Sequence, residues 1–187
     1  MRDLSISVHF VRSVLKNAVA QGLDPVGLLR KNRISPRLLL EDNARVSIER
    51  FADLQVNTML AMQDEALGYA TRRMPLGCWS MMCHAVIGCE TLGQALSRFC
   101  RFYQLFEFGI QPHLEESPEA AIIRLQQVED DSEPDPYLSE LVLFNVHRFA
   151  SWLVKEHLPL QVVELGYPPA AQPTDYRHMF LGNPVEF

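Results

Sequence analysis

The stretch that decides the fold begins Thr91-Leu92-Gly93-Gln94-Ala95-Leu96 and continues through residue 128. Thr91 and Gln94 match the T-x-x-Q capping box, which predicts that a helix starts here. The apolar face of that helix holds Leu92, Ala95, Leu96, Phe99, Phe102, Tyr103 and Phe106. From Phe106 onward apolar residues alternate, and a turn at 116–119 separates them from a second apolar run. The change of period predicts a helix followed by a β-hairpin over residues 106–128.

The segments on either side of this stretch extend an α+β pattern. Asp135-Pro136 is a typical helix start and predicts a long helix over 136–157. Val162–Tyr167 predicts a third strand, and Thr174 is the expected cap of a short helix before a last strand at 185–187. The order helix, strand, strand, helix, strand predicts a small antiparallel sheet packed against helices.

The first 90 residues predict an N-terminal helical bundle. Helix starts are indicated by Asp24-Pro25, Ser35-Pro36 and Ser47. Further helices are expected from Asp64 to about Arg73 and from Ser80 to Ile87. We therefore expect one compact α+β domain with a helical N-terminal subdomain, 1–90, and an α+β subdomain, 91–187.

The charge distribution argues against nucleic-acid binding by this chain. The 187 residues carry a net charge of −6, whereas proteins that bind phosphate backbones usually present a basic face. Residues 1–111 hold 13 Lys and Arg against 10 Asp and Glu, and residues 112–187 hold 4 against 13. The C-terminal part is therefore strongly acidic and unfavourable for contact with DNA.

The apolar segments predict neither a membrane span nor a secretory signal. No apolar run reaches the roughly 18 residues that cross a bilayer. The first ten residues, MRDLSISVHF, lack the long apolar stretch of a signal peptide. We expect a cytoplasmic protein without membrane contact, in which thiols stay reduced.

The motifs of common enzyme classes are not found, so we expect no enzyme, no metal and no cofactor. G-x-S-x-G, Walker A and G-x-G-x-x-G motifs do not occur. The carboxylate pairs Glu115/Glu116 and Asp130/Asp131 lie in predicted turns without a nearby base. Four cysteines, spaced C-x4-C-x5-C-x10-C, fit a zinc site poorly: Cys78, Cys83, Cys89 and Cys100. We interpret them as buried structural thiols, with metal binding or redox sensing at Cys83/His84 as the alternative.

Large side chains are unusually dense between residues 79 and 108. Most of them belong in a core, but their number indicates that some line a cavity for an apolar or amphipathic ligand. His147 or Arg148, in the long predicted helix, would orient a polar or anionic group of that ligand. The candidate ligand-binding residues are Trp79, Met82, Phe102, Phe106, Phe144, His147, Arg148 and Trp152.

Several runs along the chain resemble the N-terminal domain of one large branch of AraC-type (AraC/XylS family) transcription regulators. Residues 87–96, IGCETLGQAL, resemble that branch's T-L-G-E-A-L stretch. Residues 163–169, VELGYPP, and 176–187, YRHMFLGNPVEF, resemble its strand, proline and Y-x-x-F-F-G-x-P-V-x-F ending. The opening runs also agree: Gly22-Leu23-Asp24-Pro25, Leu28-Leu29, Ile34-Ser35-Pro36, Leu38-Leu39 and Ala44-Arg45-Val46-Ser47.

The resemblance implies a regulatory domain that senses a small-molecule effector and often mediates homodimerisation, with 91–187 as the ligand-sensing part. In the family, DNA is contacted through a C-terminal domain with two helix-turn-helix units, and we expect the given sequence to represent the regulatory domain without it. The family label "arabinose-binding" is not carried over as a ligand, because this chain predicts helices and a small sheet rather than a jelly roll. Residues 78–84, CWSMMCH, depart from the family's usual small residues there.

Three functional hypotheses follow from these observations. The first is effector sensing in an AraC-type regulator. The second is an interaction domain that only forms a homodimer. The third is a small enzyme or redox sensor built on Cys83 and His84.

Overall fold

The computed structural model describes residues 5–127 and 135–187. In chain order the described elements are β1 (Ser5–Ser7), α1 (Val8–Ala20), α2 (Pro25–Lys31), a 3-10 helix (Pro36–Leu40), β2 (Arg45–Ser47), α3 (Ile48–Met62), α4 (Cys78–Val86), α5 (Leu92–Phe106), β3 (Ile110–Glu116), β4 (Ala121–Gln127), α6 (Pro136–Val154), β5 (Val163–Glu164), α7 (Pro173–Met179) and β6 (Val185–Glu186). The predicted α+β class is confirmed.

The chain divides into two compact units. Unit 1 comprises residues 1–68 together with 159–187, and unit 2 comprises residues 69–158. These two units differ from the two subdomains predicted from the sequence, which meet between residues 90 and 91. The difference arises because residues 159–187 pack with the N-terminal helices. The subdomains 1–90 and 91–187 remain a prediction about how the sequence is organised.

Helix starts follow from side chains that cap exposed backbone N–H groups. The predicted caps Asp24, Ser47, Thr91 and Asp135 are confirmed, since each accepts a hydrogen bond from a backbone N–H of its own first turn. Gln94 completes the capping box in a shifted form. Its side chain accepts from the N–H of Glu90, one residue before the cap.

Unit 1 is built on helices α1 and α3, with two short strand pairs beside them. β1 and β2 are antiparallel, with Ile6 opposite Val46, and β5 and β6 are parallel, with Val163 opposite Val185. The ring of Phe10 on α1 meets Tyr176 on α7 edge to face, at 5.7 Å between centroids. This buried pair ties the C-terminal segment to the first helix.

Unit 2 is built on α5 and the β3–β4 hairpin. The two strands are antiparallel, with Ile110 opposite Gln127, and β3 packs along α5. The core between them holds Phe99, Tyr103, Phe108 and Ile110, all buried. The predicted small antiparallel sheet packed against a helix is therefore confirmed in this unit.

Four local predictions were wrong. The hairpin does not begin at Phe106, because α5 continues to that residue and β3 begins at Ile110. Asp64 starts no helix, since its carboxylate instead accepts from the N–H groups of Ala66 and Gly68 and holds a tight turn. Among the described strands, β5 pairs with β6 in parallel rather than joining the hairpin, and α7 is capped at Gln172 rather than Thr174.

The link between α5 and β3 makes Gly109 a sensitive position. Gly109 has φ +86°, and a Cβ built there would lie 2.5 Å from Cγ2 of Thr71. Thr71 is anchored to this turn, because its N–H donates to the Phe108 carbonyl and its hydroxyl to the Glu107 carbonyl. An added methyl group therefore meets a fixed side chain on a strained backbone.

We expect Gly109→Ala to lower the free energy of unfolding by about 1–2 kcal/mol. Gly22→Ala is the matched control, since Gly22 has φ +83° but an added Cβ there meets nothing within 4 Å. Urea unfolding of both variants measures the difference. An equal loss in both would show that contact with Thr71 contributes nothing.

Candidate functional site

The described residues form an open cleft of about 530 Å³ within unit 1. Three segments form its walls: the start of α1, the loop that leads into β2, and the loop that leads into α7. The lining residues are Ser7, His9, Arg12, Asp42, Asn43, Ala44, Arg45, Ala170, Ala171, Gln172 and Pro173. We call this site the unit 1 cleft.

One wall of the cleft is formed by Arg45, whose guanidinium is held rigidly. Nη2 donates to Asp175 Oδ1 at 2.6 Å, and Nη1 donates to Asp175 Oδ2 at 3.3 Å. Nε and Nη2 also donate to the hydroxyl and the carbonyl of Ser5. The Asp175 side chain is 1% exposed, so this two-armed ion pair is the only charge compensation that the described contacts provide for a buried carboxylate.

Arg12 contributes a second guanidinium to the cleft, with a looser partner. Its Nη2 donates to the Leu39 carbonyl at 2.8 Å, which fixes the head group. Its Nη1 lies 2.9 Å from Asp42 Oδ1, and the Asp42 side chain is 89% exposed. Arg12 is therefore positioned by backbone but paired with a carboxylate that remains in solvent.

The size and chemistry of the cleft suit a small polar molecule. Ligand sites typically enclose about 300–1,000 Å³ and use a few placed polar groups to orient what they bind. Here guanidinium, imidazole, hydroxyl and amide groups converge from separate segments, and none of the described lining residues is Phe, Tyr or Trp. The walls thus favour hydrogen-bonding groups over an apolar ligand.

The residues selected from the sequence as ligand-binding all lie in unit 2, where they form separate small groups. Phe149 bridges two of them: its ring meets Trp79 edge to face and stacks on Trp152, each at 5.7 Å. Trp152 is 60% exposed. This trio presents an aromatic surface on α4 and α6.

The other selected residues lie in three further environments. Phe102 and Phe106 touch each other at 4.8 Å along α5, and Phe106 is half-exposed. On α6 the guanidinium of Arg148 lies over the ring of Phe144 at 5.3 Å, and burial lowers the pKa of Arg148. Met82 is fully buried. The assignment of these eight residues to a ligand stays a prediction.

His147 lies on the buried face of α6 with its Nε2–H donating to the Leu158 carbonyl at 2.9 Å. This bond fastens the chain after α6 back onto the helix. Burial lowers the pKa of His147, and the positive charges of Arg148 and His157 act in the same direction. The folded protein therefore holds the imidazole neutral at a pH where an exposed histidine is already protonated.

The lowered pKa of His147 predicts that the folded protein loses stability in mild acid. Below a pH of about 6.5, the usual pKa of histidine, His147 binds a proton in the unfolded chain but stays neutral in the native one. Because the unfolded state binds more protons, the free energy of unfolding falls as the pH falls. Between pH 7.5 and 5.5 we expect the urea midpoint to fall more steeply for the wild type than for His147→Gln. His84→Gln, at an exposed position on α4, should follow the wild type, and parallel slopes for all three would contradict the assignment.

All four cysteines lie in the described part of the chain and are thiols rather than disulfides. Across that part, no three His, Cys, Asp or Glu side chains come together as a metal site. Cys83 is half-buried on α4 and His84 is exposed beside it. Of the carboxylate pairs, Asp130/Asp131 lies outside the described residues. Glu115 and Glu116 lie in strand β3 rather than in the predicted turn, and a hydrogen bond from Arg124 lowers the pKa of Glu115.

Cys100 is buried as predicted, but the same prediction was wrong for Cys78, Cys83 and Cys89, which are half-buried. Cys100 lies in α5, and burial raises its pKa to about 11. We expect Cys100 to resist maleimide labelling at pH 8 in the folded protein and to react after urea unfolding. Mass spectrometry of labelled peptides measures this, with the half-buried Cys78, Cys83 and Cys89 as internal comparisons. Labelling of Cys100 as fast as its unfolded form would contradict the buried assignment.

Sequence reasoning missed the unit 1 cleft because its parts are far apart in the chain. Arg45 and Asp175 are separated by 130 positions, and neither belongs to a recognisable motif for a binding site. One signal was present: Arg12 places a charged residue in the first half of helix α1, five positions after the capping Ser7. Such a position is common on solvent-facing turns, so the signal alone identifies nothing.

These features define a domain with a polar cleft, and comparison with known proteins identifies its family. Residues 22–187 match the family described as "Arabinose-binding domain of AraC transcription regulator, N-term". The chain therefore belongs to this family of ligand-binding regulatory domains. The match confirms the resemblance to AraC-type regulators.

Two further findings accompany the family match. No curated protein matches this chain. In residues 5–127 and 135–187, no helix has both the length and the apolar character that a membrane crossing requires.

Proposed function

We propose that this chain is the small-molecule-sensing domain of an AraC-type transcription regulator, with its effector in the unit 1 cleft. The observation that carries the proposal is a cleft of ligand size in a member of a ligand-binding family. The aromatic residues selected in unit 2 are the second candidate location. The cleft is favoured because it is concave and polar, whereas Trp152 and Phe106 are exposed and Met82 is enclosed.

An effector in the cleft would add contacts to three segments that are already joined by the β1–β2 pairing and the Arg45–Asp175 ion pair. It would contact the start of α1, the loop before β2 and the loop before α7 together. A ligand shifts a conformational equilibrium only by binding one arrangement better than another. A molecule bridging three segments has that differential affinity, because it binds best when all three are correctly spaced.

The proposal assigns DNA contact to a different domain of the regulator. A net charge of −6 supports this division, because phosphate contacts need a basic surface. In such a regulator the helix-turn-helix domain would bind DNA, and this chain would control its arrangement.

Thermal unfolding with a panel of small metabolites tests the proposal. A ligand at 100 times its Kd stabilises the protein by about 2.7 kcal/mol, which is readily measured as a rise in Tm. Ala171→Trp fills the cleft and should remove the rise, whereas Ala61→Trp, at an exposed position on α3, should not. A rise that survives Ala171→Trp but is lost in Trp152→Ala would move the effector to unit 2. No rise with any compound would contradict sensing.

Homodimerisation is a second proposed function, supported by exposed apolar residues at the end of α5. Leu105 and Phe106 are adjacent and both exposed, and such groups are typical of interaction surfaces. Sedimentation velocity on the isolated chain measures the oligomeric state, and Leu105→Glu should shift a dimer toward monomer. A strict monomer at high concentration would contradict this role without affecting effector sensing.

A further inference from the structure

We propose that the unit 1 cleft takes a small molecule with a single carboxylate, which replaces Asp42 on the guanidinium of Arg12. This inference rests on the proposed function, since it names the chemical class of the effector. It depends on a contrast between the two guanidinium groups of the cleft.

The pair formed by Arg12 and Asp42 is easily exchanged. The two side chains are 39% and 89% exposed, and an ion pair in such a solvated setting stabilises the fold only slightly. Asp42 is therefore free to leave with little loss of stability. Arg12 itself does not need Asp42 for its position, because Nη2 donates to the Leu39 carbonyl at 2.8 Å.

The pair formed by Arg45 and Asp175 cannot be exchanged in the same way. Asp175 is buried, and removing the guanidinium from it would leave a carboxylate without compensation in the core of unit 1. Arg45 therefore keeps Asp175 as its partner when a ligand binds. Nη1 of Arg12 is left as the guanidinium nitrogen whose anionic partner can change.

The charges of the cleft set the charge of the ligand. Among the described lining residues, Arg12 and Arg45 carry positive charge and Asp42 is the carboxylate, while the buried Asp175 neutralises Arg45. When the Asp42 side chain moves away into solvent, the positive charge of Arg12 no longer has an anionic partner. One carboxylate satisfies it, and neutral polar groups of the ligand are left to bond with Asn43 and Gln172.

Three acids with their uncharged amides serve as probes: benzoate with benzamide, glucuronate with glucuronamide, and lactate with lactamide. Calorimetric titration of the whole chain should show binding of at least one acid and none of its amide. Arg12→Gln should weaken that binding about tenfold, in keeping with the loss of one charge-assisted hydrogen bond. Asp42→Asn should strengthen it severalfold, because the competing carboxylate is gone.

Arg37→Gln is the control, since Arg37 is exposed in the same unit and does not line the cleft. It should bind the acid as the wild type does. An amide that binds as well as its acid, or an Asp42→Asn variant that binds the acid more weakly, would overturn the inference. If an amide binds and Ala171→Trp abolishes that binding, effector sensing in the cleft stands and only the carboxylate is rejected. If neither acids nor amides bind the wild type or Asp42→Asn, the inference is rejected whether or not the wider metabolite panel raises the Tm.

Discussion

Replacing Phe99 by alanine is expected to lower the free energy of unfolding by about 3–5 kcal/mol. Phe99 lies on the face of α5 that packs in unit 2, and its side chain is 2% exposed. Its ring touches Tyr103 at 4.9 Å between centroids. Truncation removes the burial of a whole aromatic ring and leaves a cavity that its neighbours cannot fill completely.

Phe106→Ala provides the matched control on the same helix. Phe106 is 49% exposed, so the same truncation should lower the stability by less than about 1.5 kcal/mol. Tryptophan fluorescence during urea unfolding suits the measurement, because Trp79 and Trp152 both belong to unit 2. Similar losses at the two positions would contradict the packing assigned to α5.

Replacing Arg45 by methionine is expected to lower the free energy of unfolding by about 2–4 kcal/mol. Methionine keeps much of the apolar stem but removes the charge that balances Asp175. The buried carboxylate is then left without a cation, which disfavours the folded state.

Two comparisons make the Arg45 prediction specific. Arg72→Met breaks an exposed ion pair with Glu107 and should change the stability by less than about 0.5 kcal/mol. Adding Asp175→Asn to Arg45→Met should recover part of the loss, because a neutral amide needs no cation. Far-ultraviolet circular dichroism during urea unfolding gives all four stabilities. A double variant less stable than Arg45→Met alone would show that Asp175 contributes mainly through other contacts.

The helix starts were predictable from the sequence because capping is a local interaction. Asp24, Ser47, Thr91 and Asp135 each bond to an N–H within three residues, so the pattern is complete in a short window. The end of α5 was less predictable. Phe106 and Phe108 alternate as a strand would, but a left-handed residue at Glu107 and a positive φ at Gly109 reverse the chain between helix and hairpin.

Strand pairing was only partly predictable. The β3–β4 hairpin follows from two apolar runs and a short turn, all within one stretch of chain. The pairings of β1 with β2 and of β5 with β6 join segments too short to show a period. A strand of two or three residues exists only because its partner lies beside it, so the tertiary structure decides it.

By itself the sequence determined the α+β class, the principal helix starts and the membership of a regulatory family, because these depend on local patterns of polar and apolar residues. The tertiary structure alone decided where a cleft forms and which charges face it. Arg45 and Asp175 meet across 130 positions, and Arg12 reaches Asp42 only when α1 lies beside the loop before β2. No short window of sequence contains both partners of either pair, and that is the physical reason why the cleft appears only in the folded chain.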